Sequence, residues 1–228
     1  VGIAGVAGNG QAELIGAIVG LRELDAGQLL LNGVDISRQP LSERRKEISY
    51  IPEDRISVGT AVDARVSENL IMGFQYTPQV SEKKILRSSG IAKFSASLIE
   101  SFGIRVAQIG EKMVNLSGGN MQKAVVAREL THGFPLLVAD QPTRGIDVGS
   151  IEFIYQQLIQ YRSQGKAILL VSADLSEVMT LSDRILVLYE GQIAGEVSGD
   201  SAQEAALGLM MTGAWKKPGD GTNLPTEG

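Results

Sequence analysis

Short apolar runs alternating with amphipathic stretches leave this chain few folds to choose from. Residues 134–140, 167–172 and 185–189 are almost wholly apolar, and in the stretches between them, 151–162 and 175–181, apolar residues recur at helical spacing. A strand that is apolar on both sides of its pleat is buried on both faces, so the pattern predicts a parallel, doubly wound α/β sheet with helices on either side. The chain opens in the same way. Residues 1–6 are apolar and broken by glycine, a glycine-rich loop follows, and Leu14, Ile15, Ile18 and Val19 mark one face of a helix. Asn32-Gly33 between short apolar runs at 28–32 and 34–36 reads as a two-residue hairpin turn, and 48–51 as a strand stub stopped by Pro52. From 62 to 131 the pattern is helical without a clear strand, which predicts a helical insertion in the α/β core.

The expected organisation is a core segment at 1–61, a helical subdomain at 62–132, the remainder of the core at 133–212 and a flexible tail at 213–228, where Gly, Pro, Lys and Thr lack periodicity. With 228 residues, 43% of them hydrophobic, the chain can bury a full core. Val1 already lies in an apolar strand, so the sequence reads as the later part of a longer protein. A net charge of -5 gives no overall basic field, so nucleic acid is not expected as a partner. No apolar run approaches the roughly 18–20 residues that cross a bilayer, so membrane association would come through another protein. Without cysteine there are no disulfides or thiolate metal sites. His132, the sole histidine, is read as a surface residue, Trp215 as loosely held in the tail, and Arg44-Arg45-Lys46 as the cover of a helix face.

Two glycine-bearing helix starts carry the chemistry. Gly5-Val6-Ala7-Gly8-Asn9-Gly10-Gln11-Ala12 keeps both glycines of the phosphate-binding pattern G-x-x-x-x-G-K-[ST], but Gln11 stands at the lysine and Ala12 at the magnesium-binding hydroxyl. Such a loop aims backbone N–H groups and the positive end of a helix at an anion, and these need no side chain. Losing the lysine removes a charge-assisted contact of about 1.5–3 kcal/mol. Glu13 adds a carboxylate in the first helical turn, which would oppose a phosphate if it turned inward. Gly5, Gly8, Asn9, Gly10, Gln11, Ala12 and Glu13 are therefore candidate residues of a weakened nucleotide site, a plain strand-to-helix turn being the other reading of the loop taken alone. The second start is Leu116-Ser117-Gly118-Gly119, with Ser117 as N-cap and two glycines that let a ligand approach the backbone.

The run Leu116-Ser117-Gly118-Gly119-Asn120-Met121-Gln122-Lys123, the apolar strand ending in Asp140 and Gln141, and Pro142-Thr143-Arg144-Gly145-Ile146-Asp147-Val148-Gly149 occur together in this order. They resemble the ATP-binding cassette of ABC transporters, specifically the second cassette of the tandem ATPases that serve sugar and nucleoside importers. The resemblance runs from Val1 to about Gly213. It implies a P-loop NTPase (RecA-like) fold, truncated on its N-terminal side, in which two cassettes sandwich ATP and Mg2+ head to tail. Each site there joins one cassette's phosphate loop to the other's signature run. On that resemblance Ser117, Gly118, Gly119 and Gln122 serve the partner's ATP, Asp147, a helix cap in its other reading, is the D-loop residue facing the interface, and Asp140 orients Mg2+ through water. Gln141 stands at the glutamate that polarises the attacking water; an amide cannot accept the proton, and a missing general base commonly costs about 10²- to 10⁴-fold in rate. Glu53 occupies the Q-loop glutamine's position and Ala173 that of the switch histidine. Arg144 reaches across the interface or faces solvent.

The same resemblance implies a C-terminal cassette on the cytoplasmic face of the cell membrane, contributing its signature to a partner while its own site is hydrolytically impaired. Its partners would be the N-terminal cassette of the same polypeptide, transmembrane permease subunits and, indirectly, a substrate-binding lipoprotein. Residues 5–14 and 139–153 look more like the nucleoside importers than the ribose ones. Two other readings stay open: a non-catalytic nucleotide-binding regulatory module, and a soluble ABC ATPase outside transport.

Overall fold

The structure, a computed structural model, describes residues 1–215. β1 (Gly2–Ala4) runs through the glycine loop into α1 (Gln11–Val19). The hairpin β2 (Leu30–Leu31) and β3 (Val34–Asp35) turns on Asn32 and Gly33, both at positive φ (50° and 80°), the left-handed pair that a two-residue turn of this hand requires. α2 (Leu41–Arg44), β4 (Ile48–Ile51) and a single wide turn at Arg55–Gly59 follow. α3 (Val66–Leu70), a small hairpin of β5 (Ser81–Glu82) and β6 (Ile85–Leu86), α4 (Ser88–Ser101) and α5 (Gly118–Thr131) then precede β7 (Leu136–Asp140). The chain closes with α6 (Val148–Ser163), β8 (Ala167–Ser172), α7 (Leu175–Leu181), β9 (Arg184–Tyr189), β10 (Gln192–Ser198) and α8 (Glu204–Met211).

Six strands form one sheet in the order β10-β9-β1-β8-β7-β4, parallel throughout except for β10. This is the doubly wound α/β core that the alternating pattern predicts. Both faces are covered, and the pleat of β7 shows it: Val138 packs with Ile3, Ile15, Val19 and Val171, while Leu137 and Ala139 on the opposite face pack with Val125, Ile154 and Leu158. α3, α4 and α5 bury a cluster of their own, with Val66, Leu70, Leu98, Met113 and Met121 at its centre. In a parallel sheet the carboxyl ends of β1, β7 and β8 lie along one edge, which brings the glycine loop, Gln141 and Ala173 to the same side of the molecule.

The structure corrects four readings. The stretch read as mostly helical, without a clear strand, contains β5 and β6, whose turn residues Lys83 and Lys84 both have positive φ (49° and 68°), a conformation lysine seldom signals. His132 is no surface residue: its ring stacks between Phe74 (centroids 4.0 Å apart) and Phe134 (4.8 Å), and burial lowers its pKa. Trp215 is partly buried against the cluster that holds Leu207 and Met210, its main-chain N–H donating to Leu209 O at 3.1 Å, whereas the rest of the expected tail, 216–228, lies outside the described residues. The Arg44-Arg45-Lys46 cluster does not share one solvated face, since only Lys46 pairs on the surface, with Glu43 at 2.8 Å.

Arg44 is buried and bonds to main-chain carbonyls alone: Ser37 at 2.8 Å, Gln39 and Ile18 at 3.1 Å, and Ala17. Two of these close the C-terminal end of α1, where carbonyls lack helical partners and the dipole favours a cation. Arg44→Met keeps the stem but orphans these acceptors, so it should lower the unfolding free energy by about 2–3 kcal/mol, read from the midpoint of a urea titration.

Candidate functional site

The glycine loop holds its shape with its own side chains. Gly8 and Gly10 have φ of 90° and 102°, and Gly10 stands at the N-cap of α1. The Gln11 side chain folds back across the loop: its Nε2 donates to Val6 O at 3.0 Å and its Oε1 accepts from Asn9 N at 3.0 Å. The amide lies over Gly5, where an added Cβ would stand 2.2 Å from Gln11 Nε2. Asn9 anchors the loop from outside, its Oδ1 accepting from Glu190 N at 2.8 Å and its carbonyl from Gly191 N at 3.0 Å. One of the N–H groups that such a loop offers an anion is therefore already occupied. Glu13 does not turn into the loop and faces Arg22 at 3.5 Å in an exposed pair.

The signature run sits on α5. Ser117 caps the helix, its Oγ accepting from Asn120 N at 3.4 Å and from Asn120 Nδ2 at 2.9 Å, and it is exposed. Gly119 allows α5 to meet the start of α6, since a Cβ there would lie 2.3 Å from Ser150 Oγ and 2.4 Å from Asp147 Oδ2. Asp147 caps α6 by accepting from Ser150 N at 2.9 Å and Ser150 Oγ at 2.8 Å, and these bonds hold its carboxyl below the usual range. Gln122 is buried, not on the exposed lip, and its Nε2 donates to Pro142 O at 2.7 Å, which ties the signature helix to the loop after β7. In the same loop Thr143 Oγ1 donates to the buried Glu177 at 2.8 Å.

The ends of β7 and β8 are joined through Gln141. Its φ is 47°, an uncommon conformation for a side-chain-bearing residue, and its Oε1 accepts from Ala173 N at 3.3 Å and lies 3.5 Å from Ser172 Oγ. Ala173 is exposed and presents only a methyl beside Gln141. Asp140 is half-buried, and desolvation pushes its carboxyl up to about 6. Glu53 forms an ion pair with Arg144, so these two candidates are bound to each other within the chain.

Residues 1–144 match the ABC transporter family. The chain belongs to that family. The cassette is 42% identical over 214 residues to the nucleoside import ATP-binding protein NupA of Lactococcus lactis subsp. cremoris, which covers 93% of this chain and 42% of that protein. It is 43% identical over 218 residues to the guanosine import ATP-binding protein NupO of Bacillus subtilis, covering 95% and 43%. To a ribose import ATP-binding protein of Bacillus cereus it is 33% identical over 214 residues, covering 93% and 43%. The cassette thus spans less than half the length of these relatives. Its fold matches a dimeric ATP-binding cassette solved in a post-hydrolysis state with ADP and phosphate, with a TM-score of 0.73, 22% identity and coverage of 86% and 84%.

Members of this family bind ATP with Mg2+. In this cassette the loop backbone and the start of α1 suit a phosphate, but the amide of Asn9 is spent on Gln11. Mg2+ would meet the single carboxylate of Asp140 and, with Ala12 in the loop, no hydroxyl, so these residues do not build a metal site by themselves. The lone carboxylate has a measurable cost. Its folded pKa is raised above the unfolded value of about 3.9, so the folded state binds more protons and stability falls as pH rises from about 4 to about 6. Asp140→Asn should therefore stabilise the chain at pH 7.5 by about 1–2 kcal/mol, a gain that thermal denaturation would show shrinking as the pH is lowered towards 4.

Arg55, Arg128 and Glu129 link these segments to distant parts of the chain, roles their own sequence neighbourhood does not signal. Their sequence signal is only a charge beside an apolar run, and their partners lie up to 90 residues away.

Proposed function

We propose that this chain is the C-terminal cassette of a tandem importer ATPase, lending Ser117, Gly118 and Gly119 to the ATP held by a partner cassette while its own half-site is hydrolytically impaired. An intact signature lip beside a damaged phosphate loop carries this reading. Ser117 caps α5 and stands exposed at the helix start, whereas Gln11 is folded into its own loop. The four positions that would hold or cleave the triphosphate here carry Gln11, Ala12, Gln141 and Ala173, and neither Gln141 nor Ala173 accepts a proton from water. Asp147, a cap of α6 in this chain, faces the interface as the D-loop residue, and Gln122 acts from behind by fixing Pro142.

Among the described residues no helix is long and apolar enough to cross a membrane. The proposed place is the cytoplasmic face of the membrane, against transmembrane permease subunits that receive cargo from a substrate-binding lipoprotein. The proposed cargo class is nucleosides or simple sugars: identity is 42% and 43% to the nucleoside and guanosine import proteins, 41% to a glucose import ATP-binding protein of Haloferax volcanii and 33% to the ribose import protein.

The test damages the two half-sites separately in the complete tandem protein. Ser117→Arg should abolish most ATP turnover, and Gln11→Ala should leave it within about twofold. Wild-type turnover after the lip change, or loss of turnover after the loop change, would overturn the reading.

A further inference from the structure

None of the motifs explains Arg55. Its guanidinium fork spans the loop after β7: Nη1 donates to Arg144 O at 2.8 Å and Nη2 to Gly145 O at 3.1 Å. The same Nη2 stands 3.0 Å from where a Cβ on Gly118 would lie, beside the opening of α5. The base of the arginine is fixed as well. Asp54 accepts from Ile56 N at 3.0 Å and Ser57 N at 2.9 Å, and Thr60 Oγ1 donates to Arg55 O at 2.8 Å, which closes the turn Arg55–Gly59 from both ends. A second tie runs alongside, from Glu53 to Arg144. One side chain thereby connects the segment after β4, the loop that leads to Asp147, and the first residues of the signature helix.

We propose that Arg55 is a positioning residue for the nucleotide that the lip serves: it sets the loop 144–147 and the Gly118 end of α5 at the separation in which Ser117, Gly118 and Gly119 meet a partner's triphosphate. This rests on the reading of the lip given above. Two carbonyls on consecutive residues need a planar fork with two parallel donors, a geometry that arginine has and the point charge of lysine lacks. The fixed cation also adds to the positive end of α5, so the lip is preorganised for an anion and needs no rearrangement when one arrives. A displacement of about 1 Å at such a position can cost on the order of 10²-fold in rate.

The test uses the full tandem protein with its membrane subunits, in wild-type form and as Arg55→Ala, Arg55→Lys and Ser117→Arg. Active sites are counted by nucleotide titration, so that loss of folded protein is separated from loss of rate. The expected result for Arg55→Ala is a kcat per active site reduced about 10- to 100-fold with KM changed less than about twofold, and Arg55→Lys should fail to rescue it. A purely structural role would lower the number of active sites and leave kcat per site unchanged, which overturns the proposal. Activity per site restored by Arg55→Lys overturns it too, and this variant decides the matter if Arg55→Ala does not fold. Full turnover in Ser117→Arg would remove the lip reading and this inference together. Loss of turnover in Ser117→Arg with normal kcat in both Arg55 variants would remove this inference alone.

Discussion

Arginine at Ser117 should reduce steady-state phosphate release by the tandem protein at least about 10²-fold. A preorganised donor aimed at developing negative charge is commonly worth 10²- to 10³-fold in turnover, and the lip offers a hydroxyl and backbone N–H groups at the start of a 14-residue helix. The larger side chain would also fill the space in front of Gly118 and Gly119 through which a phosphate must approach. Stability is affected far less. Losing the cap, where Ser117 Oγ receives Asn120 N and Asn120 Nδ2, costs about 1 kcal/mol. A melting temperature lowered by only a few degrees beside a turnover lost a hundredfold would separate chemistry from folding. Ser117→Ala should give the smaller kinetic loss of the two, because it removes the hydroxyl and leaves the backbone groups open.

Glu129→Leu should cost about 3–5 kcal/mol of stability, visible as a shift of the denaturant midpoint in the chain alone. Glu129 is fully buried on α5 and satisfied from three directions: Arg128 Nε at 2.9 Å, Arg45 Nη2 at 3.1 Å and Tyr50 N at 3.1 Å. Burial alone would raise its pKa, but Arg128, Arg45 and the Tyr50 amide outweigh it and hold the carboxyl below its ordinary value. Removing the acid leaves Arg128 buried without its counter-charge, the case in which breaking a buried pair is most costly. Arg45, which is one-third exposed, can turn to water and contributes less to the loss. If the penalty arises from the stranded cation, Arg128→Met combined with Glu129→Leu should recover part of it, since an apolar pair of similar volume carries no such burden. The recovery will be incomplete, because Arg128 Nη2 also donates to Gly59 O at 3.0 Å.

The sheet was legible from the sequence because its evidence is local. The apolar runs at β7, β8 and β9, the Asn32-Gly33 turn and the caps Ser117 and Asp147 all depend on neighbours within a few residues. The hairpin of β5 and β6 was not, since Lys83 and Lys84 adopt a turn for which glycine or asparagine is the usual marker. Side chains whose roles are set by distant partners were equally hidden. Arg44 looks like one of three surface cations until its acceptors, up to 27 residues away, are known. His132 looks exposed until Phe74 folds against it from the helical insertion. Gln122 belongs to a binding motif by position, yet its amide finds Pro142 O twenty residues on and is withdrawn from the surface. At the candidate site, composition shows which chemistry is missing, because the absence of a lysine, a hydroxyl, a glutamate and a histidine is a matter of residue type. It does not show where the replacements go.

Gln11 shows what such a replacement can do. By bonding Val6 O and Asn9 N it fills the concavity with an amide of the same chain, so the loop is ordered as soon as the protein folds. A loop that waits for its ligand loses conformational freedom at every encounter and regains it at every release. Here that freedom is surrendered a single time, when the chain folds and Gln11 closes the loop on itself.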